Sequence, residues 1–124
     1  MGLFSGLMGN ASEVDDADLE KVLLNTLIED EQVEKAYKVI RDMFIFTNKR
    51  LILIDKQGVT GSKMEMISIA YSKITKFSKE SAGHFDLDAE LKIWVGSDST
   101  PISKDFKSGD NINDVYRIIS QYAL

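Results

Sequence analysis

The sequence predicts an α+β fold: about seven short antiparallel strands bent into a barrel or sandwich, capped by a C-terminal helix, with an added N-terminal helix. Three observations predict it. Short runs in which apolar and polar residues alternate fill the stretch from about residue 31 to 107, and turn-forming residues separate them. Apolar residues recur at helical spacing near both ends of the chain. The length of 124 residues suits one domain with one core. The expected organisation is a flexible lead over 1–11 and a single domain over 12–124, divided into an N-terminal helix (12–30), the strands (31–107) and the capping helix (110–123).

The lead holds Leu3, Phe4, Leu7 and Met8 among glycines and serine. Ser12 suits an N-cap, with Asp15 three residues on. Leu19, Val22, Leu23, Leu27 and Ile28 then follow helical spacing, and Asp15, Asp16 and Asp18 lie where a helix dipole favours acids. This predicts a helix over about 13–29.

After Asp30 the period changes to two. Val33, Lys35, Tyr37 and Val39 are expected on one strand face, Ala36, Lys38 and Ile40 on the other. Met43–Phe46 and Leu51–Ile54 are apolar throughout and flank the polar tetrad Thr47-Asn48-Lys49-Arg50, which predicts a hairpin buried on much of both faces. Asp55-Lys56-Gln57-Gly58 is the next turn. In Lys63–Tyr71, Ile67, Ile69 and Tyr71 oppose Met66, Ser68 and Ala70. Ser72–Thr75 has the character of a short irregular or helical turn before a strand through Phe77, and Ser81-Ala82-Gly83-His84 turns the chain again. The clearest alternation sets Leu87, Ala89, Leu91, Ile93 and Val95 against Asp88, Glu90, Lys92 and Trp94. After Gly96–Ser99 a last strand carries Ile102, Lys104 and Phe106 opposite Ser103 and Asp105. Pro101 stands near its start, where a missing donor is tolerated.

Asp110 or Asn111 can cap the closing helix, in which Ile112, Val115, Tyr116, Ile119, Tyr122 and Ala123 form one stripe.

Net charge is -5, unevenly spread: residues 1–34 carry nine acids and only Lys21, whereas the remainder carries fourteen bases and eleven acids. An acidic helix ahead of a mildly basic body is either a solvated face or one steered onto its own body, a neighbour or a basic partner. The later bases are dispersed, so no nucleic-acid surface is expected. There is no cysteine, which excludes disulfides and thiolate metal sites. The N-terminus lacks a basic region followed by a sustained apolar one, and no window approaches the roughly 20 apolar residues of a membrane span. A cytoplasmic location is expected.

Catalytic chemistry has few possible carriers. His84 is the one histidine and lies in a turn, with Ser81 the nearest hydroxyl in sequence and nothing to hold a relay. Zinc would need more His or Cys ligands. Gly58-Val59-Thr60-Gly61-Ser62-Lys63 has the wrong spacing for a phosphate loop. Asp86, Asp88 and Glu90 share a strand face and read as solvated carboxylates in preference to a cation site. No enzyme, cofactor or metal is expected. Trp94 on that polar face is more informative: it marks either a contact with the N-terminal helix or another subunit, or cover within the domain.

The segments Phe46–Gly58, Ile69-Ala70-Tyr71-Ser72-Lys73-Ile74 and Phe85–Trp94, the last containing Asp88-Ala89-Glu90-Leu91-Lys92-Ile93-Trp94, resemble in order the bacterial pleckstrin-homology-like domain family, over about residues 12–124. The resemblance implies two nearly orthogonal antiparallel sheets of seven strands closed by a C-terminal helix. It also implies homo-oligomers, often rings, and no established catalysis. In phosphoinositide-binding relatives a basic cluster occupies the first hairpin; the matching candidates here for an anionic ligand are Lys35, Lys38, Arg41, Lys49 and Arg50. Their strand parities differ and Glu34 and Asp42 dilute them, so phosphoinositide binding is not carried over.

The expected function is a non-catalytic binding or scaffold module that assembles with itself, with a ring as the expected form, and binds protein partners. Leu19, Val22, Leu23, Leu27 and Trp94 are the expected contact residues, together with a strand edge. The alternative is a peripheral membrane or lipid-recruitment domain using the apolar N-terminus and the basic first hairpin.

Overall fold

The computed structural model describes residues 16–39, 42–57, 63–81, 88–107 and 112–124. The lead, Ser12, Arg41, Gly58, His84, Asp86 and the Asp110–Asn111 cap lie outside the described residues. The elements are α1 (Asp16–Leu24), β1 (Val33–Val39), β2 (Asp42–Thr47), β3 (Arg50–Gln57), β4 (Lys63–Ala70), a 3₁₀ turn (Tyr71–Lys73), β5 (Ile74–Ser81), β6 (Asp88–Val95), β7 (Ile102–Lys107) and α2 (Ile112–Ala123). They form two sheets, β1-β2-β3-β4 and β5-β6-β7. The expected seven strands and closing helix are present. Two compact units divide the chain, Met1–Ser68 and Ile69–Leu124.

In the first unit, β2 and β3 are buried on both faces, as their unbroken apolar runs predict. Met43 pairs with Ile54 and Ile45 with Ile52. With Leu23, Val33 and Ala36 these form one cluster, against which Val22, Leu27 and Met66 are partly buried. The helical stripe therefore packs on its own sheet. On the opposite face, Phe44, Phe46, Leu51 and Leu53 are also buried, and Tyr37 meets Phe46 edge-on with ring centroids 6.3 Å apart.

Two details depart from the sequence reading. The alternation of β1 is broken by an irregularity between Val33 and Lys35: Val33 pairs with Thr47, but Lys35 with Phe46. The extra residue reverses parity, so Val33 shares a face with Ala36 and not with Lys35, Tyr37 and Val39. Moreover, α1 stops at Leu24, short of the expected end near residue 29. The Thr26 hydroxyl donates to the Val22 carbonyl at 3.0 Å, satisfying one of the last-turn acceptors. Beyond it Glu31 accepts the Ile28 N–H at 3.1 Å and Asp30 adopts a φ of 67°, a left-handed conformation that Asp tolerates better than most residues. Ile28 is left outside the helix and 60% exposed.

In the second unit, β6 carries the predicted alternation. Ala89, Leu91 and Ile93 pair across to Phe106, Lys104 and Ile102 on one side and to Ser81, Lys79 and Phe77 on the other. Leu91, Ile93, Phe106, Val115 and Ile119 are buried. Helix α2 packs on this unit through its predicted stripe: Tyr122 stacks on Tyr71 at 4.4 Å and Tyr116 meets Phe77 at 5.1 Å. Gly96 ends β6 with a φ of 60°, and its N–H donates to the Lys73 carbonyl at 2.8 Å. A side chain at that φ would be strained.

Candidate functional site

A densely connected polar group among the described residues is built on the tetrad Thr47-Asn48-Lys49-Arg50, which joins β2 to β3. Thr47 is fully buried at the end of β2. Its Oγ1 accepts the N–H groups of Lys49 (3.0 Å) and Arg50 (2.9 Å), which closes the turn, and donates to Glu31 Oε2 at 2.7 Å. Asn48 turns to the segment ahead of β1. Its Oδ1 accepts the Gln32 N–H at 2.8 Å, its Nδ2 donates to the Asp30 carbonyl at 2.9 Å, and its own N–H donates to the Gln32 carbonyl at 3.1 Å. The amide thus pairs with the backbone as a further strand residue would.

Arg50 completes the group. Its Nε lies 2.9 Å from Glu31 Oε2 and its Nη2 lies 2.9 Å from Glu31 Oε1, a bidentate pair. Nη2 also donates to the Thr26 carbonyl at 2.7 Å and Nη1 to Ser68 Oγ at 3.0 Å. The Glu31 side chain has no exposed surface. Burial alone would raise its pKa, but the Arg50 and Thr47 hydrogen bonds, the Ile28 N–H and the Arg50 charge outweigh it and hold the carboxyl at about 2, against an ordinary 4.5. Each Glu31 oxygen receives two donors. A carboxylate so saturated has no free lone pair for a ligand or a transferred proton; its chemistry is that of a lock.

Among the described residues, the basic side chains expected to face an anion are divided between separate places. Arg50 is removed from that set because Glu31, Thr26 and Ser68 already hold its guanidinium. Lys49 is exposed at the β2–β3 turn. Lys38 is opposite Met43, near the far end of β2, and Lys35 is opposite Phe46. Strands rise about 3.3 Å per residue, so Lys38 and Lys49 stand some four β2 residues apart, too far for one phosphate. Arg41 lies outside the described residues.

Of the expected contact residues, Leu23 is fully buried in its own core and offers a partner no surface. Val22 and Leu27 are partly buried against that core. Leu19 belongs to α1, and its surroundings lie outside the described side chains. Trp94 is partly exposed on β6, opposite Lys76, whose Nζ sits 4.2 Å from the ring centroid. Sequence reasoning missed Glu31, which it counted only among the nine acids of residues 1–34. The available signal was the tetrad itself: a Thr-Asn-x-Arg turn between two buried strands needs partners for its polar atoms.

Among the described residues no group of three or more His, Cys, Asp or Glu side chains is placed to hold a metal ion. No helix among them is long and apolar enough to cross a membrane.

Two antiparallel sheets of four and three strands with a C-terminal helix define the class, a pleckstrin-homology-like module. Residues 2–123 match the bacterial PH domain family, and the chain belongs to it. It is 49% identical, over the whole of both chains, to the uncharacterized protein YjqA of Bacillus subtilis (strain 168). It is similar to the crystal structure of a pleckstrin homology domain from Shewanella amazonensis SB2B, with 49% identity, a TM-score of 0.81 and 94% of each chain covered. A DUF1696 family protein with a pleckstrin-homology domain from Shewanella loihica PV-4 gives 47% identity and a TM-score of 0.73, over 90% of this chain and 95% of that one.

Proposed function

We propose that this PH-like chain is a non-catalytic scaffold module that assembles with copies of itself, in a closed ring, and holds protein partners on that assembly. The observation that carries this reading is a set of large apolar side chains left in water in the first unit: Leu24 is 70% exposed, Ile28 60% and Met64 46%. Leu24 ends α1 and Ile28 follows it. Met64 shares a strand face with Met66, whose sulfur lies 3.5 Å from Thr26 Oγ1. Isolated exposed apolar residues are ordinary, but several around one helix end beside an edge strand are a contact surface. Strand β4 stands at the edge of its sheet, and an edge is a template for pairing.

The lipid-recruitment alternative draws less support, since Arg50 is committed to Glu31 and the remaining lysines are spread over the sheet.

The test is the absolute mass of the full chain, by light scattering after size-exclusion chromatography, from low salt to about 1 M. The expected result is a discrete oligomer that persists at high salt, because apolar contacts are not screened. The double variant Leu24→Glu/Ile28→Glu, altered only at exposed positions, is expected to lower that mass. A monomer under every condition overturns the reading.

A further inference from the structure

Several contacts meet at Thr26, where α1 ends. Its N–H and that of Leu27 both donate to the Leu23 carbonyl at 2.9 Å. Its hydroxyl donates to the Val22 carbonyl at 3.0 Å, and its own carbonyl accepts Arg50 Nη2 at 2.7 Å. The Sδ of Met66, in β4, lies 3.5 Å from Thr26 Oγ1. A hydroxyl has one hydrogen, and the Val22 carbonyl is both nearer and a better acceptor than a thioether. The sulfur therefore packs against the Thr26 oxygen without taking that hydrogen. Met66 is also partly buried against the cluster that contains Leu23, as are Val22 and Leu27. One side chain thus meets both the apolar support of the helix and the hydroxyl that closes its last turn.

The chain has five methionines and no cysteine, so its sulfur chemistry is that of thioethers. Three of the five lie among the described residues, under graded cover. Met43 is 6% exposed within the cluster, Met66 is partly buried at its margin, and Met64 is 46% exposed. Oxidation follows exposure, so a peroxide in solution attacks Met66 and spares Met43.

We propose that Met66 is a reversible oxidation site, and that its sulfoxide releases the end of α1 from the sheet. The site is independent of the self-assembly reading above. In the step, the sulfur gives two electrons to hydrogen peroxide: the O–O bond breaks, an S–O bond forms, and the second oxygen leaves as water with both protons. The product is polar and carries a strong acceptor in place of a weak one. Where that oxygen faces Thr26, it competes with the Val22 carbonyl for the single hydroxyl hydrogen. Where it turns to water, the sulfur leaves its place against the cluster. Either course removes a tie that holds the last turn of α1. Methionine sulfoxide reductases take the oxygen off as water, with electrons from a dithiol that becomes a disulfide, and so restore the joint.

The test is amide hydrogen exchange of the full chain before and after hydrogen peroxide, with the oxidised methionines located by peptide mass spectrometry. Once Met66 carries the oxygen, the Thr26 and Leu27 amides are expected to exchange about fivefold faster, the scale of one lost hydrogen bond, while β6 keeps its protection. Met66→Leu, close in volume but without an oxidisable sulfur, is expected to keep the native rates after the same treatment. Met64→Leu, altered only at an exposed position, is expected to show the full acceleration, and it keeps the test open should Met66→Leu fail to fold. Met66→Gln, which puts an amide oxygen near that place, is expected to exchange faster without peroxide. Treatment of the oxidised chain with a methionine sulfoxide reductase and a dithiol is expected to return the slow rates. Unchanged Thr26 and Leu27 rates with Met66 fully oxidised overturn the inference, as does equal acceleration in Met66→Leu. A Met66 no more oxidised than Met43 overturns it as well.

Discussion

Glu31 and Arg50, nineteen residues apart in sequence, form a bidentate ion pair at 2.9 Å with the carboxylate wholly buried. The pair fastens the segment between α1 and β1 to the β2–β3 turn. Because Arg50 also reaches the Thr26 carbonyl and Ser68, one guanidinium ties the end of α1 to strands β3 and β4.

Breaking this pair from one side is expected to be costly, since the survivor is a buried charge without its partner. Arg50→Ala should destabilise the chain by about 3–5 kcal/mol. Glu31→Leu/Arg50→Met should cost less than the sum of the single changes, as both charges leave together. Urea denaturation of the four proteins of the cycle measures the coupling; additive effects would show that the pair is not a unit.

Acid should act through the same carboxyl. Its folded pKa of about 2 lies below its ordinary 4.5, so the unfolded chain takes up the proton first as pH falls. The contribution is complete above about pH 4.5 and is lost progressively towards pH 2, about 3 kcal/mol in all. Urea midpoints between pH 7 and 2.5 should drop accordingly. Glu31→Gln, which cannot titrate, should be less stable at pH 7 and have a flatter profile over this range.

The tetrad should divide sharply by residue. Asn48→Ala removes two side-chain hydrogen bonds to the segment before β1 and should cost about 1–2 kcal/mol. Lys49→Ala, at an exposed position, should change stability by less than about 0.5 kcal/mol. Equal losses at the two positions would contradict the assignment of the turn as a lock.

In the second unit, the Tyr71–Tyr122 stack is expected to anchor the end of α2. Tyr122→Ala should destabilise by about 2–3 kcal/mol, and Tyr122→Phe, which keeps the ring, by less. Thermal unfolding followed by circular dichroism separates the two.

The alternation of β6, the apolar runs of β2 and β3 and the stripe of α2 were all legible in the sequence, because each is a local period that burial imposes on one short segment. The Thr47–Arg50 turn was legible as a turn, but not as a lock. Its partners lie in the segment 26–32, and no window along the chain contains both. The same limit explains α1: its apolar spacing continues to Ile28, yet the carboxylate of Glu31 captures the Ile28 N–H and the helix stops four residues earlier.

By itself, then, the sequence determined the α+β class, the order of the elements, the faces of β6 and β7 and the family resemblance, all of which depend on patterns within single segments. Tertiary structure alone decided that Val33 changes face, that Leu23 is core and that Arg50 is an internal partner. Those outcomes depend on which distant groups meet once water is excluded, and a buried charge is tolerated only where its counter-charge arrives with it.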